Sequence, residues 1–142
     1  MKKFGLEPNL ALLSYSNFGS AGGVDADKMK KAKEILAKDY PDITVDGDIQ
    51  ANFALDQELL GEIFPFSDLV GKKVNTFIFP NLSAGNIAYK LMDELAGLET
   101  IGPILMGMKK SVHVLTHGGS VKDITNMATI AVMDARFKQK AK

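Results

Sequence analysis

The densest group of polar residues lies in "LTHGGSVKDITN", residues 115–126. This stretch passes through Gly118 and Gly119 into a predicted helix. Ser120 and Asp123 have the Ser-x-x-acid spacing of a capping box, in which each side chain bonds the backbone N–H of the other residue. The free N–H groups at a helix N-terminus also bind phosphate, and glycines let a ligand approach the backbone. The stretch therefore supports two interpretations, a helix cap and an anion-binding turn.

Two further strand-to-helix turns carry small polar residues. "SNFGSAGG" (16–23) is not a Walker loop, because it lacks Gly-Lys-Ser/Thr and the next lysine is Lys28. "FPNLSAGNIAYK" (79–90) places Asn86 and Lys90 one turn apart, where the lysine either extends into solvent or contacts a ligand. Ligands of open α/β sheets bind at the carboxyl ends of the strands. We therefore expect the three turns to converge on one cleft.

Neither the paired aspartates nor the histidines have the spacing of a metal site. Asp46 and Asp48 flank a glycine in "VDGDIQAN", but no further acidic residues follow at calcium-loop spacing. Turn chemistry and helix capping are the expected roles of these two aspartates. His113 and His117 have no third ligand at zinc spacing, so they are expected to be ordinary strand and loop histidines. The sequence predicts no metal site.

The elements that would position these residues follow from hydrophobic periodicity. The predicted strands cover residues 9–16, 42–49, 75–80, 100–107 and 112–116. The predicted helices cover residues 26–38, 51–60, 83–97 and 121–137. Residues 61–73 have no clear period and are predicted to form a long surface loop. Alternating strands and helices indicate an α/β fold of three layers, a mainly parallel sheet with flanking helices.

Composition excludes several classes of protein. The 142 residues are enough for one domain, and 46% of them are hydrophobic. Lys+Arg and Asp+Glu number 17 each, so no charge excess favours nucleic acid or an anionic membrane. The absence of cysteine excludes disulfides and thiolate chemistry. No signal peptide or membrane span is predicted, because Glu7 and Pro8 interrupt the N-terminal segment and no long apolar run follows. We therefore expect a cytoplasmic protein.

Several segments together resemble the C-terminal part of the phosphate acetyl/butyryltransferase (phosphotransacetylase) family. They are "FGLEPNLALLSYSNFGSA", "VDGDIQAN", "FPNLSAGNIAYKL", "IGPILMGMKKSVHVL" and "NMATIAVMDA". The resemblance covers nearly the whole chain in the family's order. It implies part of the bilobal phosphotransacetylase (isocitrate/isopropylmalate dehydrogenase-like) fold, with residues 1–142 forming a C-terminal part of a longer chain. The chain also opens directly on a strand, with no helix before it to cover one side.

The resemblance is nearest to the domain fused to the C-terminus of hybrid NADP-dependent malic enzymes. In those enzymes the phosphotransacetylase-like domain is regulatory, senses acetyl-CoA and helps to assemble the oligomer. By this resemblance, NADP and a divalent metal would belong only to the N-terminal part of a malic enzyme parent. No cofactor is expected in this segment, where acetyl-CoA or CoA would be the ligand.

Departures from the family pattern bear on activity. Active members have Ser-Thr-Lys-Gly-Ser where this chain has Phe18 in place of the lysine, and Ser-Arg-Gly where residues 116–118 are Thr-His-Gly. An arginine expected one turn after the helix lysine is Glu94. Lys90 and Asp123 match the family. Acyl transfer between phosphate and the CoA thiol needs cations for the phosphate and oxyanion and a base for the thiol, so these losses predict a degenerate transfer site.

The leading hypothesis is an acetyl-CoA-sensing regulatory and oligomerisation module, and this fragment alone is expected to be inactive. The expected partners are acetyl-CoA or a related acyl-CoA and further copies of the chain, a dimer or higher homo-oligomer, with no nucleic acid and no membrane. The residues predicted to face the ligand are Ser16, Asn17, Gly19, Ser20, Asn86, Lys90, Thr116, His117, Gly118, Gly119, Ser120 and Asp123.

Two alternatives remain open. In an active phosphate acetyl- or butyryltransferase, Asp123 would be the general base, Thr116 a second catalytic residue, and Lys90 would position CoA or phosphate. In the other alternative the chain is a purely structural dimerisation module whose cleft binds nothing.

Overall fold

The computed structural model describes residues 5–97, 99–115 and 117–140. The chain divides into two compact units, unit 1 up to Leu91 and unit 2 from Met92 onwards. Among the described residues, no helix is both long enough and apolar enough to cross a membrane.

Unit 1 is built on three short parallel strands. They are β1 (Asn9–Leu13), β2 (Thr44–Ile49) and β3 (Thr76–Ile78), and β1 lies in the centre of the order β2-β1-β3. The register between β1 and β2 is regular up to Leu12, which lies opposite Gly47, and shifts before Leu13. The predicted α/β class with a parallel sheet is confirmed.

Helices cover both faces of this sheet because β1 alternates its apolar side chains between them. On one face Leu12 packs with Val45 and with Met29 of α1 (Val24–Asp39). On the other face Ala11 and Leu13 pack into the larger core cluster, whose other buried members are Ile49, Ala54, Leu60, Leu69 and Val74. The predicted three-layer arrangement is therefore present within unit 1.

The helix predicted over residues 51–60 is two helices, α2 (Ala51–Leu55) and α3 (Gln57–Ile63). Asp56 separates them, with extended backbone, and its carboxylate accepts the Leu59 N–H at 3.0 Å. An aspartate at an N-cap satisfies an N–H that the first helical turn leaves free, so it begins a new helix. The single predicted helix was wrong for this reason.

The segment predicted as a surface loop, residues 61–73, is partly core. Its first residues complete α3, and Ser67 and Leu69 further along are buried. Leu69 joins the larger core cluster, and the Ser67 hydroxyl donates to Asp46 at 2.7 Å. The segment therefore closes one face of unit 1, which its lack of periodicity did not indicate.

Two long helices account for most of the remaining chain, and the predictions for both are confirmed to within a few residues. They are α4 (Leu82–Ala96) and α5 (Val121–Lys140). No residue of α4 is buried, so its apolar side is exposed. In α5, Met127 and Asp134 are buried.

The strands predicted at residues 100–107 and 112–116 were wrong over their described residues. Residues 99–115 contain no strand, and Thr116 lies outside the described residues. A strand exists only where its N–H and C=O groups pair with a neighbouring strand, and Pro103 offers no N–H. The segment is instead fixed to α5 by side chains: the Ser111 hydroxyl donates to the Ala131 carbonyl at 2.8 Å, and Lys138 donates to the Lys110 carbonyl at 3.1 Å.

Candidate functional site

The loop after β1 brings four predicted ligand residues together, namely Ser16, Asn17, Gly19 and Ser20. The Ser16 hydroxyl accepts the Ala21 N–H at 3.1 Å, and the Ser20 hydroxyl accepts the Asn17 N–H at 2.9 Å. The Ser20 N–H in turn donates to the Asn17 carbonyl at 3.0 Å. This segment is therefore closed on itself by short-range hydrogen bonds.

The same loop is also tied to the end of β2. The Phe18 N–H donates to the Asp48 carbonyl at 2.7 Å, and the Gly19 N–H donates to the Asp48 carboxylate at 3.0 Å. Every backbone N–H from residue 16 to residue 21 thus has an acceptor within the protein. In this conformation a phosphate would have to bind through other groups than these amides.

Phe18 occupies the position where the resemblance to the family predicts lysine. Its backbone is left-handed, with φ 50°, and its ring lies 4.9 Å from the Phe64 ring and 5.0 Å from the Phe66 ring, centroid to centroid. Phe53 extends this aromatic cluster by packing edge-on against Phe64 at 5.0 Å. The side chain at position 18 is therefore a packing residue against the larger core cluster.

The turn between β3 and α4 contacts the start of α1 within unit 1. Asn81 caps α4, since its side-chain oxygen accepts the Ala84 N–H at 2.9 Å, and its amide donates to Asp25 at 3.0 Å. The Lys28 ammonium donates to the Pro80 carbonyl at 2.8 Å and to Asp25 at 3.2 Å. The turns after β1 and β3 thus share one edge of the sheet, as expected for parallel strands.

Three residues of this contact were not predicted as site residues, namely Asp25, Lys28 and Asn81. Only Asn81 had a local signal, because an asparagine one residue before an apolar helical run is a typical N-cap. The link between Asp25 and Asn81 spans 56 residues, and sequence spacing does not reveal it.

Asn86 and Lys90 both lie on α4 and are exposed. The Lys90 ammonium stands 4.9 Å from the centre of the Tyr89 ring. The Lys90 side chain therefore lies at the surface, where an anionic ligand can reach it.

The turn before α5 belongs to unit 2. Its capping box is confirmed: the Asp123 N–H donates to the Ser120 hydroxyl at 3.2 Å, and the Ser120 N–H donates to the Asp123 carboxylate at 2.7 Å. The Ser120 hydroxyl also donates to that carboxylate at 2.8 Å. His117, Gly118 and Gly119 are exposed, and Gly118 has a left-handed φ of 80°. Thr116, predicted as a site residue, lies outside the described residues.

These hydrogen bonds change the proton affinity of Asp123. The hydroxyl and the amide of Ser120 hold the pKa of the Asp123 carboxyl below its ordinary value of 3.8. A carboxylate whose negative charge is stabilised in this way is a weaker base. The predicted convergence of this turn with the turns of unit 1 stays a prediction.

Asp46 and Asp48 are both buried, and each accepts hydrogen bonds from distant parts of the chain. The Asp46 carboxylate pairs with the Lys33 ammonium and accepts the Ser67 hydroxyl at 2.7 Å and the Asp68 N–H at 2.9 Å. Both aspartates lie within β2 and neither caps a helix, so the predicted turn and capping roles were wrong. Among the described residues, no group of three or more His, Asp or Glu side chains could hold a metal ion.

The two histidines differ in their surroundings. His117 is an exposed turn residue, as predicted. His113 is not in a strand; its buried side chain lies 3.2 Å from the Ser111 hydroxyl and 3.9 Å from the Asp134 carboxylate. Both distances are to the same ring nitrogen, and the Ser111 hydroxyl donates to a backbone carbonyl. The three residues therefore lack the order of a nucleophilic triad, in which the two nitrogens serve different partners.

An α/β fold with polar turns at the carboxyl ends of parallel strands defines a class of ligand-binding domain. The family model for phosphate acetyl/butaryl transferase matches residues 1–132. The chain belongs to this family.

Relatives of two kinds are equally similar. The chain is 41% identical over 134 residues to an NADP-dependent malic enzyme of Haemophilus influenzae, covering 94% of this chain and 18% of that protein. It is 41% identical over 131 residues to a phosphate acetyltransferase of Clostridium acetobutylicum, covering 92% of this chain and 39% of that protein. The chain thus spans well under half of the length of either relative.

Two solved structures share the fold. A phosphotransacetylase from Streptococcus pyogenes superposes with a TM-score of 0.86 at 39% identity, over 94% of this chain and 40% of that one. EutD phosphotransacetylase from Staphylococcus aureus superposes with a TM-score of 0.82 at 33% identity, over 94% of this chain and 42% of that one. The resemblance seen in the sequence is confirmed at the level of family and fold.

Proposed function

We propose that this chain is an acyl-CoA-binding regulatory and oligomerisation module of a hybrid NADP-dependent malic enzyme, with a degenerate acyltransferase site. Acetyl-CoA is the proposed ligand, the cytoplasm the proposed location, and NADP and metal chemistry would lie in the rest of the parent enzyme. The single observation that carries the proposal is the packing of Phe18 into the aromatic cluster.

The packing matters because acyl transfer from or to phosphate needs fixed positive charge near the oxyanion. At position 18 this chain has a neutral ring held by Phe64 and Phe66, with the backbone fixed by Asp48. A lysine there would have to leave the cluster to reach an anion. Loss of one such donor typically costs about 2.7–4 kcal/mol in transition-state stabilisation.

The lowered pKa of Asp123 supports the same proposal. A general base works best when its pKa lies near the working pH. The Ser120 hydrogen bonds lower the pKa of Asp123, which moves it away from that optimum. Asp123 is thus well suited to begin α5 and poorly suited to deprotonate a thiol.

Lys90 would contribute to binding in either case, since its exposed ammonium matches the phosphate groups of CoA. Isothermal titration calorimetry with acetyl-CoA tests this role. We expect measurable heat with the native chain and a roughly tenfold weaker affinity for Lys90→Ala, because one charge-assisted contact is lost. Lys31→Ala, which removes an exposed lysine from α1, is the matched control and should leave affinity unchanged. No heat with folded native chain would favour the purely structural module instead.

A thiol-release assay with acetyl-CoA and inorganic phosphate, which frees the CoA thiol when the acetyl group moves to phosphate, tests the loss of transfer activity. It should be run on the 142-residue chain and on the parent malic enzyme, with the Clostridium acetobutylicum phosphate acetyltransferase as positive control. We expect acetyl-CoA binding without turnover. Robust turnover by the parent that Asp123→Asn abolishes would overturn the proposal.

The second candidate is an active phosphate acetyl- or butyryltransferase. It is favoured by one observation, the 41% identity to a phosphate acetyltransferase, which equals the identity to the malic enzyme. In that case Asp123 would act as base and Lys90 would position CoA or phosphate. The same thiol-release assay separates the two candidates.

A further inference from the structure

Among the described residues, Asp48 is the buried carboxylate that bonds the loop of residues 16–21. It lies near the end of β2, and only 1% of its surface is exposed. Its backbone carbonyl accepts the Phe18 N–H at 2.7 Å, and its carboxylate accepts the Gly19 N–H at 3.0 Å. One residue therefore holds two consecutive amides of the loop.

One of these two amides belongs to Phe18, a residue with a side chain in left-handed backbone. Phe18 has φ 50° and Gly19 has φ 84°, so both are left-handed. Left-handed backbone is unfavourable for a residue with a side chain and persists only where the surroundings impose it. The bond from the Phe18 N–H to the Asp48 carbonyl and the ring contacts with Phe64 and Phe66 hold Phe18 in this conformation, which Gly19 adopts readily.

Gln50 extends this anchor along the chain. Its N–H donates to the Asn17 side chain at 2.8 Å, and its side-chain amide donates to the Tyr15 carbonyl at 2.7 Å. Hydrogen bonds to Asp48 and Gln50 therefore hold the loop, and Asp48 is the buried residue of the two.

The burial of Asp48 is costly, which argues for a specific role. Its second carboxylate oxygen is buried and has no hydrogen-bond partner among the described residues. A buried polar oxygen without a partner destabilises a fold, and an apolar residue would avoid that cost. In return for this cost, the fold gains a carboxylate oxygen that accepts the Gly19 N–H.

We propose that Asp48 is a positioning residue, whose carboxylate preforms the 16–20 loop for acyl-CoA. This inference rests on the proposed function. Asp48 would keep the loop in one conformation even though Phe18 stands where lysine was expected. A preformed loop binds ligand without the cost of ordering itself.

The test compares Asp48 with Asp46, an equally buried aspartate two residues earlier. Among the described residues, the Asp46 carboxylate accepts hydrogen bonds from Lys33, Ser67, Gly47 and Asp68. None of these residues lies in the loop. The variants are Asp48→Ala, Asp48→Asn and Asp46→Ala in the 142-residue chain. Amide hydrogen exchange at Phe18 and Gly19 and calorimetric titration with acetyl-CoA are measured on each.

We expect Asp48→Ala to raise exchange at the Gly19 amide about tenfold or more and to weaken acetyl-CoA binding about tenfold, because the side-chain acceptor of that amide is lost. The Phe18 N–H keeps its bond to the Asp48 carbonyl and should change less. Asp48→Asn should restore both the Gly19 exchange and the affinity, since its side-chain oxygen can still accept the Gly19 N–H. Asp46→Ala should lower the urea midpoint while leaving loop exchange and affinity within twofold. If Asp48→Ala does not fold, Asp48→Ser, whose shorter side chain cannot reach the amide, replaces it.

Exchange at Gly19 that is the same in Asp48→Ala and Asp46→Ala would overturn the anchor itself. Faster exchange with native acetyl-CoA affinity would overturn its role in binding. Absence of any acetyl-CoA heat with the native chain would instead refute the proposed function, while the exchange data would still decide whether Asp48 holds the loop.

Discussion

At the scale of single residues, partners close in sequence were predictable and distant partners were not. Ser120 and Asp123 are three residues apart, so their mutual hydrogen bonds could be read from spacing alone. Asp46 and Ser67 are 21 residues apart, and no local pattern joins them. The sequence therefore did not indicate the buried network around Asp46.

The Asp46 network predicts an acid-sensitive contribution to stability. Burial alone would raise the pKa of Asp46, but hydrogen bonds from Lys33, Ser67 and two backbone amides outweigh it and hold that pKa below the ordinary 3.8. A carboxyl with a lower pKa in the folded state stabilises the fold above its unfolded-state pKa and loses that effect as the pH falls through the folded value. The free energy of unfolding from urea titrations should therefore decline below about pH 4.

Ser67→Ala removes one of those hydrogen bonds and should bring the pKa of Asp46 closer to 3.8. At neutral pH we expect a loss of about 1.5–3 kcal/mol in unfolding free energy, the usual range for a hydrogen bond to a charged group. The difference from native protein should shrink as the pH is lowered towards 3. Ser83→Ala, at an exposed serine of α4, is the control. A constant difference across this pH range would contradict the role assigned to Asp46.

Glu94 is the residue at which charge reversal should be most informative. The family pattern has arginine there, and a carboxylate repels phosphate. We expect Glu94→Arg to strengthen the binding of inorganic phosphate several-fold, about two- to tenfold for an exposed site. Titration calorimetry or phosphate-dependent thermal shift measures this. Glu34→Arg on α1 changes the net charge by the same amount and serves as the control. If both variants bind phosphate equally more tightly, the gain comes from the net charge of the protein and not from position 94.

At the scale of elements, helices were predicted better than strands. The periods of α1, α4 and α5 lie in continuous sequence, and the structure has all three. The apolar runs within residues 99–115 looked like strands, yet strand formation depends on a neighbouring strand that a local pattern cannot supply. Similarly, the division at Asp56 depends on one side chain that caps the second helix.

Gly47 determines how closely β1 and β2 approach. It has φ 138°, and a Cβ at this position would lie 2.5 Å from the Leu12 carbonyl oxygen and 2.8 Å from the Leu12 Cβ. Gly47→Ala should therefore lose about 3–5 kcal/mol of unfolding free energy, from backbone strain and overpacking together. Urea denaturation measures this loss. Gly22→Ala is the matched control, because nothing lies within 4 Å of its added Cβ, and it should change stability by less than about 1 kcal/mol.

At the scale of the whole molecule, the notable property is the amount of exposed apolar surface. Ile87, Leu91 and Leu95 follow one another at four-residue spacing along α4 and are 58%, 53% and 82% exposed. A continuous apolar stripe on a helix is normally covered by another element or another chain. The stripe supports the proposed self-association.

Replacing residues of this stripe should weaken self-association without unfolding the chain, because the side chains are already exposed. Leu91→Ser should raise the dissociation constant of the homo-oligomer by about ten- to a hundredfold, which corresponds to the burial of one leucine at an interface. Light scattering after size-exclusion chromatography over a range of concentrations measures this shift. Val24→Ser removes an apolar side chain that is 82% exposed and belongs to α1 instead of α4, and it should leave assembly unchanged. Equal effects of the two substitutions would mean that α4 is not the contact, whereas a monomer in the native chain at all concentrations would remove oligomerisation from the proposed function.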